Sequence, residues 1–485
     1  MEPYPDHTSI NDGILDAQAV GVVVTASHNP EEDNGIKLTD TSGGMLDAAW
    51  ESRASELANC DNAGVLSLLS QWTDGTPSLA PGEGTRVVVG RDTRATSPWL
   101  SSLVCQGVRC FDVPVVDLGE VPTPVVHFAV GSGEPTSEAY VEHMATAFGE
   151  FWRAVAPQGS NRIMSITVDA AGGVGAVSMD RIARAIPVAE VAFRLVNGPG
   201  DEGVELNARC GAEHVQKQRE PPCNMPAVSS GDWCSLDGDA DRIVFHSANA
   251  DGEWTLLDGD ALAVLWTDFL ATQFRAAGWT LVDPESAGSG TEPEPRGAKT
   301  VSLGVVQTAY ANGGSTEYLQ RVARVPVALA KTGVKHVHHR AEDFDVGVYF
   351  EANGHGTALV REEIRRQLQA QLEDSDDDAQ AKKTAVRRLL CFDRLVNQFI
   401  GDAVSDLLVT VAILHGRNMR FRDWRAMYHD RPSRQTKLPV ADRTAISTNV
   451  DETKVLQPES LQAAIDDAVR EVDAAQGRAF ARCVQ

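Results

Sequence analysis

The chain has 485 residues, of which 42% are hydrophobic, and this is enough apolar material for several domains with cores of their own. Its formal net charge is −25, which argues against nucleic-acid binding because phosphate backbones would repel the chain, but a small basic pocket for one phosphorylated ligand is compatible with that charge. No apolar run approaches the roughly 20 residues that span a bilayer, the N-terminus lacks a signal-peptide core, and the eight cysteines form no Cys-x-x-Cys pair, so we predict a cytoplasmic protein without a membrane partner.

Short apolar runs alternate along the chain with longer segments of helical periodicity. In chain order, the runs predicted as strands are VGVVVTA, TRVVVGRDT, VPVVDLG, MSITVDAAGG and RIVFHS. The segments predicted as helices are SPWLSSLVCQGVRC, SEAYVEHMATAFGEFWRAV and LDGDALAVLWTDFLATQF. Strands that are apolar on both faces and separated by helices are typical of layered α/β folds. Ser97, which precedes Pro98, is predicted to cap the first of these helices.

Two stretches interrupt this alternation. Residues 283–300 are rich in Pro, Gly and Ser and are predicted to form a loop. Residues 371–383 carry a charge run within helical sequence, which indicates a solvated face or a link between helices. The tail from Pro458 to Val472 has helical periodicity, and RAFARCVQ then begins a strand-like run.

The first predicted strand runs straight into Thr-Ala-Ser-His-Asn-Pro, residues 25–30, and Lys37 follows ten residues after Ser27. A serine hydroxyl becomes a nucleophile where a base or a metal lies beside it. Ser beside His is common, however, and Lys37 could equally be a solvated lysine at a strand edge. The motif by itself therefore leaves its chemistry open.

The segment SLDGDADRIVF contains Asp237, Asp239 and Asp241 at alternate positions. On a straight strand the outer two would lie about 13 Å apart, which is too far for one cation with bonds of about 2.0–2.6 Å to oxygen. The three carboxylates can converge only in a tight loop, which Gly238 and Ala240 permit. Because clustered carboxylates repel one another, we predict a divalent metal among them.

Two other interpretations of this acidic segment were considered. An EF-hand loop that began at Asp237 would need Gly at the sixth place and Glu at the twelfth, but Arg242 and Ala248 stand there. The spacing therefore excludes an EF-hand. An acidic turn that bonds its own backbone remains the structural alternative.

Together, the serine motif and the three aspartates predict one phosphoryl-transfer site. A phosphate on Ser27 would add about two negative charges. Its oxygen would complete the metal's ligand set, and the metal would neutralise charge during the transfer. His28 and Lys37 would then lie against the phosphate or a sugar hydroxyl.

A third element, VGVYFEANGHGTALV, begins as a strand and ends in a polar loop. Glu351 and Asn353 alternate, so they point the same way and offer acceptors and donors for vicinal hydroxyls. Gly354 permits the close approach of a ligand. His355 is a candidate general base near neutral pH, or else a loop histidine with satisfied hydrogen bonds.

In this order, the motifs resemble those of the α-D-phosphohexomutase superfamily. The Glu-Ala-Asn-Gly-His form is typical of its acetylglucosamine branch. The resemblance implies an isomerase that interconverts N-acetylglucosamine 6-phosphate and 1-phosphate for UDP-N-acetylglucosamine synthesis, through a phosphoserine and a bisphosphate intermediate. Phosphoglucomutase or phosphomannomutase activity is the alternative. The segments that resemble the family are VTASHNPEEDNGIKL, LDGDADRIV, GVVQTAYANGGSTEYL, KTGVKHVHHRAEDFDVGVYFEANGHGTAL and KLPVADRTAIST.

The resemblance also implies an α/β multi-domain fold, in which three mixed α/β domains and a partial C-terminal domain surround a central cleft. The expected domains are 1–135 with the phosphoserine loop, 136–258 with the metal loop, 259–392 with the sugar-binding loop, and 393–485.

The resemblance further implies a ligand and a role for each candidate residue. Mg²⁺ would be held by the Ser27 phosphate and the three aspartates, and a hexose 1,6-bisphosphate would serve as activator. The implied roles are proton transfer for Lys37 and His355, contact with phosphate for His28 and Arg242, and binding of the phosphorylated amino sugar by Glu351, Asn353 and Gly354.

The chain departs from the family pattern at both ends. The family's last domain carries an Arg-Pro-Ser-Gly-Thr-Glu loop that binds the non-reacting phosphate. Here RAFARCVQ enters that pattern at Arg482, the expected phosphate-binding residue, and stops, and no Gly-Thr-x-Gly-x-Arg segment is visible ahead of Gly21. We therefore expect a truncated chain, with a catalytically impaired homologue as the alternative to an active enzyme. SGTEPEPR, residues 289–296, resembles the missing loop by letters but falls in the predicted insert.

Overall fold

The structure of the protein is a computed structural model. It describes the following residues: 19–46, 48–73, 84–157, 162–225, 231–248, 254–284, 299–374, 380–434, 436, 440–442, 445–473 and 477–482.

The first sheet contains four strands: β1 (Ala19–Val24), β2 (Ile36–Thr39), β3 (Arg86–Arg91) and β4 (Val115–Glu120). Their order is β2–β1–β3–β4, with β1, β3 and β4 parallel and β2 antiparallel to β1. The accompanying helices are α1 (Ala48–Ala58), α2 (Asn62–Thr73), α3 (Ser97–Arg109) and α4 (Thr123–Gly131). Because parallel strands end at the same edge, the loops after β1 and β3 lie side by side.

The second sheet contains β5 (Met164–Asp169), β6 (Val191–Val196), β7 (Gly231–Leu236), β8 (Ile243–Ala248) and β9 (Trp254–Leu257). Its order is β6–β5–β7–β8–β9, in which β5, β6 and β7 are parallel and the last two strands are antiparallel to their neighbours. The three aspartates lie in the turn between β7 and β8. The helices are α5 (Ser137–Val155), α6 (Gly175–Ala185) and α7 (Gly211–Gln218).

The third sheet has the order β13–β12–β14–β15, with only β15 antiparallel. Its strands are β12 (Leu303–Thr308), β13 (Val327–Ala330), β14 (Val346–Phe350) and β15 (Gly356–Val360), and a parallel pair, β10 (Thr280–Leu281) and β11 (Thr300–Val301), precedes them. The helices are α8 (Gly259–Ala276), α9 (Gly313–Tyr318) with a π-helical turn at Leu319–Ala323, α10 (Val334–Ala341) and α11 (Glu362–Glu373).

The remaining elements are α12 (Gln380–Leu395), α13 (Ala403–Gly416), α14 (Phe421–Arg425), the antiparallel pair β16 (Ser447–Thr448) and β17 (Val455–Gln457), and α15 (Glu459–Asp473). The helix predicted for the tail is confirmed as α15. In the strand-like run after it, residues 478–482 have no regular secondary structure, so the strand prediction is wrong for them, and residues 483–485 lie outside the described residues.

The largest core joins the sheets through helices α5, α8, α12 and α13. Within it, Trp266 meets Phe350 and Phe392 edge to face, at 5.1 Å and 5.4 Å between ring centroids. The indole N–H of Trp266 donates to Thr410 Oγ1 at 3.0 Å. The α/β prediction is thus confirmed. The domain limits stay predictions, and the limit after residue 392 falls inside α12, which continues to Leu395.

The predicted cap of the helix over 97–110 is wrong by one position. Thr96 is the N-cap and Ser97 is the first helical residue. Instead of capping the helix, Ser97 Oγ donates to Asp92 Oδ1 at 2.6 Å. Asp92 is buried, so both of its carboxylate oxygens need hydrogen-bond donors, and the Ser97 hydroxyl is one of these donors.

Parts of the two predicted interruptions lie outside the described residues. These parts are 285–298, which includes the SGTEPEPR segment, and 375–379 within the charge run. Among the helices in the described part of the chain, none combines the length and the apolar composition needed to cross a bilayer.

Candidate functional site

The site forms where loops that follow parallel strands of all three sheets meet. Residues 25–30 follow β1, residues 237–242 follow β7, and residues 351–355 follow β14. Loops at the carboxyl ends of parallel strands are the usual place for ligands in open α/β sheets. The arrangement brings three segments together that lie far apart in the chain.

Ser27 lies in this cleft with an unusual backbone conformation. Its φ is +48°, in the left-handed region that non-glycine residues seldom adopt. Its hydroxyl, in a side chain that is buried, donates to Asp239 Oδ2 at 3.2 Å. Strained backbone of this kind costs about 1–3 kcal/mol and persists only where surrounding contacts enforce it.

A buried network holds the loop around Ser27. Thr25 Oγ1 accepts from the Ser27 N–H at 3.0 Å and donates to Asp92 Oδ2 at 2.7 Å. Arg94, buried and paired with Asp92, donates to Asn29 O at 2.7 Å. Asp92 and Arg94, in the segment that follows β3, thus support the serine loop.

The three aspartates converge in the turn between β7 and β8. One ligand oxygen from each lies within 4.8 Å of the others, and all three side chains are buried. Ala240 turns the loop with φ of +56°. Asp237 Oδ1 accepts from the Asp241 N–H at 3.1 Å and from the Arg242 N–H at 3.2 Å. The alternative of an acidic turn that bonds its own backbone therefore accounts for Asp237 Oδ1. It does not account for the other carboxylate oxygens of the three aspartates.

The remaining oxygens fit a hard divalent cation. Asp237 Oδ2, Asp239 Oδ1 and Asp241 Oδ1 are buried and lack any hydrogen-bond partner. Orphaned carboxylate oxygens are costly to bury, and oxygen donors are those that Mg²⁺ and Ca²⁺ prefer. One free oxygen from each of three clustered aspartates is the donor set that such an ion requires.

Lys37 contacts two of the same three aspartates. Its Nζ lies 2.8 Å from Asp239 Oδ2 and 2.7 Å from Asp241 Oδ2. Burial acts to lower the pKa of Lys37, but the two carboxylates outweigh it and raise the pKa well above its ordinary value. Lys37 is therefore a charged member of the site, and the alternative of a solvated strand-edge lysine is excluded by its contacts.

The aspartates differ in their affinity for protons. Burial, and then the negative charges of Asp241 and Asp239, raise the pKa of Asp237 well above its ordinary value. Burial also acts to raise the pKa of Asp241, but Lys37 and His355 lower it well below its ordinary value. A cation bound at the cluster would lower the pKa of Asp237, because its positive charge would offset the negative charges of Asp239 and Asp241.

Arg242 and His28 also lie in the site, one charged and the other neutral. Arg242 Nε lies 3.7 Å from both Asp237 Oδ2 and Asp241 Oδ1, and Nη1 lies 3.6 Å from Glu213 Oε2. Burial, followed by the charge of Arg242, lowers the pKa of His28 to about 4. His28 is therefore neutral at physiological pH, next to the serine.

The loop predicted to bind sugar connects β14 to β15. Gly354 has φ of +83°, and a Cβ there would lie 1.8 Å from Ile243 O. The Ile243 N–H donates to Gly354 O at 3.2 Å. The close approach made by Gly354 is therefore to the backbone beyond the aspartates, which ties this loop to the metal loop, and its contact with a ligand stays a prediction.

Glu351 and Asn353, which are predicted to bind the sugar, each accept one hydrogen bond from a backbone N–H. Glu351 Oε1 accepts from the Gly333 N–H at 3.1 Å, and Asn353 Oδ1 accepts from the His355 N–H at 3.0 Å. Glu351 Oε2 and Asn353 Nδ2 therefore remain for a ligand.

His355 is buried beside the aspartates. It is 3% exposed, its Nδ1 lies 3.4 Å from Asp241 Oδ1, and its Nε2 faces Gly401. This packing places His355 against the aspartates, and its predicted part in proton transfer stays a prediction. The sequence could not show this, because Gly401 and Asp241 lie far from His355 in the chain.

Arg482 is linked to the sugar loop indirectly, through Glu452 and residues 332–333. Its Nε donates to Tyr310 Oη at 2.9 Å and lies 3.6 Å from Glu452 Oε2. Glu452 Oε2 accepts from the Thr332 N–H at 3.0 Å, and the next amide, that of Gly333, is the one that donates to Glu351. A short chain of contacts thus connects the C-terminal segment to the loop predicted to bind sugar.

Sequence reasoning missed two residues that contact the site directly. Thr123 Oγ1, at the start of α4, donates to Asp239 Oδ2 at 2.6 Å. Asn207 Nδ2 donates to Ser27 O at 2.9 Å. Neither belongs to a motif with a recognisable chemical pattern, and no signal in the sequence alone places them here.

Two family models match the chain. Residues 258–419 match phosphoacetylglucosamine mutase AMG1, domain III. Residues 13–62 and 68–162 match phosphoglucomutase/phosphomannomutase, alpha/beta/alpha domain I.

Relatives match over nearly the whole chain. The phosphoacetylglucosamine mutase of Mus musculus is 39% identical over 474 residues, which cover 96% of this chain and 81% of the mouse protein. The structure of Aspergillus fumigatus N-acetylphosphoglucosamine mutase in complex with GlcNAc-6P and magnesium is 35% identical with a TM-score of 0.84, covering 96% of this chain and 83% of that one. A variant of that enzyme in complex with glucose 1,6-bisphosphate has a TM-score of 0.83 at 35% identity, covering 98% of this chain and 84% of that one.

Proposed function

This chain belongs to the phosphoacetylglucosamine mutase family of the phosphohexomutase superfamily, and from that premise we propose that Ser27 carries the phosphoryl group in its reaction. The enzyme is an isomerase that interconverts N-acetylglucosamine 6-phosphate and N-acetylglucosamine 1-phosphate. The observation that supports our assignment is the contact of Ser27 Oγ with Asp239 Oδ2 at 3.2 Å. The contact supports the assignment because it joins the Ser27 hydroxyl to an aspartate of the one cluster, among the described residues, that could hold a metal ion.

Mg²⁺ is the cofactor, and we propose that the free oxygens of Asp237, Asp239 and Asp241 hold it. Bound there, it supplies positive charge that stabilises the phosphoryl oxygens during transfer. Lys37 and Arg242 add fixed positive charge on two sides of the same cluster. Together these charges offset the electrostatic cost of bringing a phosphate to three aspartates.

The reaction begins with phosphate on Ser27. The O1 hydroxyl of the 6-phosphate substrate attacks that phosphorus, a bond from O1 to phosphorus forms, the bond from Ser27 Oγ breaks, and the O1 proton passes to the departing Ser27 oxygen. The product is the 1,6-bisphosphate of the sugar, which then reorients in the cleft so that its 6-phosphate faces Ser27. Ser27 Oγ then attacks the 6-phosphate, O6 leaves with a proton, and the 1-phosphate is released from a rephosphorylated enzyme. A hexose 1,6-bisphosphate such as glucose 1,6-bisphosphate can load the serine at the start.

Proton transfer is assigned from the environment of each base. Lys37 holds its proton between two carboxylates, so it contributes charge and not basicity. His355 faces Asp241 and Gly401. His28 is neutral at physiological pH and adjacent to Ser27. A histidine with a pKa of about 4 does not retain a proton at neutral pH, so we propose that His28 relays the hydroxyl proton to the departing Ser27 oxygen and that His355 orients Asp241.

The sugar and its distal phosphate are bound from the third sheet and the C-terminal segment. Glu351 and Asn353 receive the hydroxyls, and Arg482 receives the phosphate that is not reacting. Glu452, which is buried, keeps Arg482 close to the loop at residues 332–333. These contacts support a cleft in which either end of the sugar can face Ser27. We place the enzyme in the cytoplasm, where UDP-N-acetylglucosamine is synthesised.

The test is a coupled assay of the purified chain with Mg²⁺, glucose 1,6-bisphosphate and each of three sugar phosphates: N-acetylglucosamine 6-phosphate, glucose 6-phosphate and mannose 6-phosphate. We expect turnover to be fastest with the acetylated sugar. A folded chain that turned over none of them would support the impaired homologue instead. Preference for glucose or mannose phosphate would move the assignment to the other branches of the superfamily.

A further inference from the structure

The strained conformation of Ser27 is enforced from two directions. On the amino side, its N–H donates to Thr25 Oγ1, which belongs to the same loop. On the carboxyl side, its carbonyl accepts from Asn207 Nδ2 at 2.9 Å, whereas Arg94 Nη2 is at 3.5 Å. The shorter contact to the Ser27 carbonyl therefore comes from outside the first sheet.

Asn207 belongs to the connection between β6 and α7, on the second sheet. Its Nδ2 also donates to Asn29 O at 3.3 Å, so one amide spans two carbonyls of the nucleophile loop. Its backbone N–H donates to Ala171 O at 2.9 Å, which fixes the residue on the loop after β5. Asn207 thus ties the serine loop to the sheet that carries the aspartates.

The amide of Asn207 is oriented by these two acceptors. Both partners are carbonyl oxygens, so the atom that faces them must be the nitrogen. Its Oδ1 is buried without a partner, which means that nothing else selects this orientation. An unsatisfied buried acceptor is costly, and its presence indicates that the contact with the serine loop outweighs that cost.

The packing next to Asn207 leaves no room for a different arrangement. A Cβ on Gly238, the residue between two of the aspartates, would lie 2.8 Å from Ser27 O and 2.9 Å from Asn207 Nδ2. The metal loop, the Ser27 carbonyl and the Asn207 amide are therefore in mutual contact. A shift of any one of them changes the distance from Ser27 Oγ to Asp239.

We propose that Asn207 is a positioning residue for phosphoryl transfer: its amide holds the backbone of Ser27 against the metal loop, so that the serine phosphate remains at transfer distance. This inference rests on the proposed function. It assigns Asn207 no contact with the sugar, so its loss acts on the chemical step and leaves substrate binding nearly unchanged. A displacement of about 1 Å at a reacting group can lower the rate by about a hundredfold.

Two variants test the proposal in different ways. Asn207→Asp keeps size and tolerance of the left-handed backbone (φ is +58° here) but turns an oxygen toward both carbonyls. Asn207→Gly removes the amide, and glycine adopts that φ without strain. For both we expect kcat to fall by roughly tenfold to a hundredfold while KM for N-acetylglucosamine 6-phosphate changes by less than about threefold. The control is Asn418→Asp, because Asn418 is exposed and also has a positive φ, +51°; we expect wild-type kinetics.

The same proteins are examined for phosphorylation of Ser27 by glucose 1,6-bisphosphate, followed by intact mass in single-turnover experiments. We expect both Asn207 variants to load phosphate more slowly by the same factor as kcat. If Asn207→Gly melts like the wild type and has unchanged kcat and loading rate, the proposal is overturned. A rise in KM with kcat unchanged would also overturn it, since that is the signature of a substrate contact. If the wild type loads phosphate but does not isomerise the sugar, the proposed function fails and the loading rates still decide the role of Asn207.

Discussion

Ser27 Oγ lies 3.2 Å from Asp239 Oδ2, although 212 residues separate the two in the chain. Asp239 Oδ2 also accepts from Lys37 Nζ and Thr123 Oγ1. One carboxylate oxygen thus accepts hydrogen bonds from the Ser27 hydroxyl, the Lys37 ammonium and the Thr123 hydroxyl. The other oxygen of Asp239 has no hydrogen-bond partner. The second sheet meets the first through this residue, and through it Ser27, the proposed nucleophile, contacts the cluster that we propose holds Mg²⁺.

Ser27→Ala should abolish the covalent phosphate and lower turnover by more than about 10⁴-fold, as loss of a nucleophile does in other enzymes. The measurement is intact mass after incubation with glucose 1,6-bisphosphate, together with the coupled assay. Ser102→Ala, at an exposed serine on α3, is the matched control and should behave as wild type. Phosphate that persisted on the Ser27 variant would contradict the nucleophile assignment.

Lys37→Met should destabilise the metal-free protein and should do so much less in the presence of Mg²⁺. Removal of the ammonium leaves Asp239 and Asp241 without their closest cation, and we expect a loss of roughly 2 kcal/mol after allowance for its partial exposure. Denaturant unfolding in EDTA and in excess Mg²⁺ gives the comparison. An equal loss under both conditions would show that the ion does not compensate for the lysine and does not occupy this cluster.

Gly354→Ala should cost several kcal/mol and abolish turnover, because a Cβ there would collide with Ile243 O at 1.8 Å. Gly133 is the control, since its φ of +74° is similar and its Cβ would meet nothing within 4 Å. Gly133→Ala should cost only the backbone strain, about 1–2 kcal/mol. Urea unfolding of both variants separates strain from collision. Equal losses would show that the sugar loop is free to move away from the metal loop.

Stability should fall with acid partly because of His246. Its Nδ1 accepts from Trp254 Nε1 at 3.4 Å, its Nε2 is 3.0 Å from Ser235 Oγ, and burial lowers its pKa from 6.5 to about 3. Below pH 6.5 the unfolded chain binds a proton that the folded protein refuses until about pH 3, so the free energy of unfolding decreases as pH falls through this window. One such group contributes at most about 1.4 kcal/mol per pH unit.

His246→Gln should therefore reduce the slope of unfolding free energy against pH between pH 4 and 6.5, whatever its effect on absolute stability. The control is His429→Gln, because His429 is exposed, and it should leave the slope unchanged. If the slope of the His246 variant equals that of the wild type, protonation of this histidine is not linked to unfolding.

Arg482→Ala should raise KM for N-acetylglucosamine 6-phosphate by roughly tenfold, because a charge-assisted hydrogen bond to phosphate contributes about 1.5–3 kcal/mol. Arg470→Ala, on the exposed face of α15, should leave KM unchanged. Steady-state kinetics with both variants provides the measurement. An unchanged KM in the Arg482 variant would remove this residue from the phosphate site.

Much of the site could be predicted because its residue types are chemically distinctive over short spans. Three aspartates at alternate positions can share one cation only if the chain turns between them, whatever the rest of the fold does, and both the turn and the free oxygens are present. The alternation of apolar runs and amphipathic segments likewise predicted the layered sheets. The tail helix followed from its periodicity alone.

Other properties could not be predicted, because they depend on what packs against each residue. His355 had the chemistry of a base, but Gly401 and Asp241 enclose it. Ser97 had the pattern of a cap, but the buried carboxylate of Asp92 binds its hydroxyl.

The sequence by itself determined the chemical capacities on which the proposed function rests: a serine hydroxyl that can carry a phosphoryl group, three carboxylates that can hold a divalent ion, and a polar loop that can bind a sugar, since these capacities belong to the side chains. Only the tertiary structure decided which groups meet. It brought Asn207 and Thr123 to the site and put Lys37 between two aspartates. The physical reason is that a contact across hundreds of residues depends on how the sheets pack against one another, and no local pattern encodes that packing.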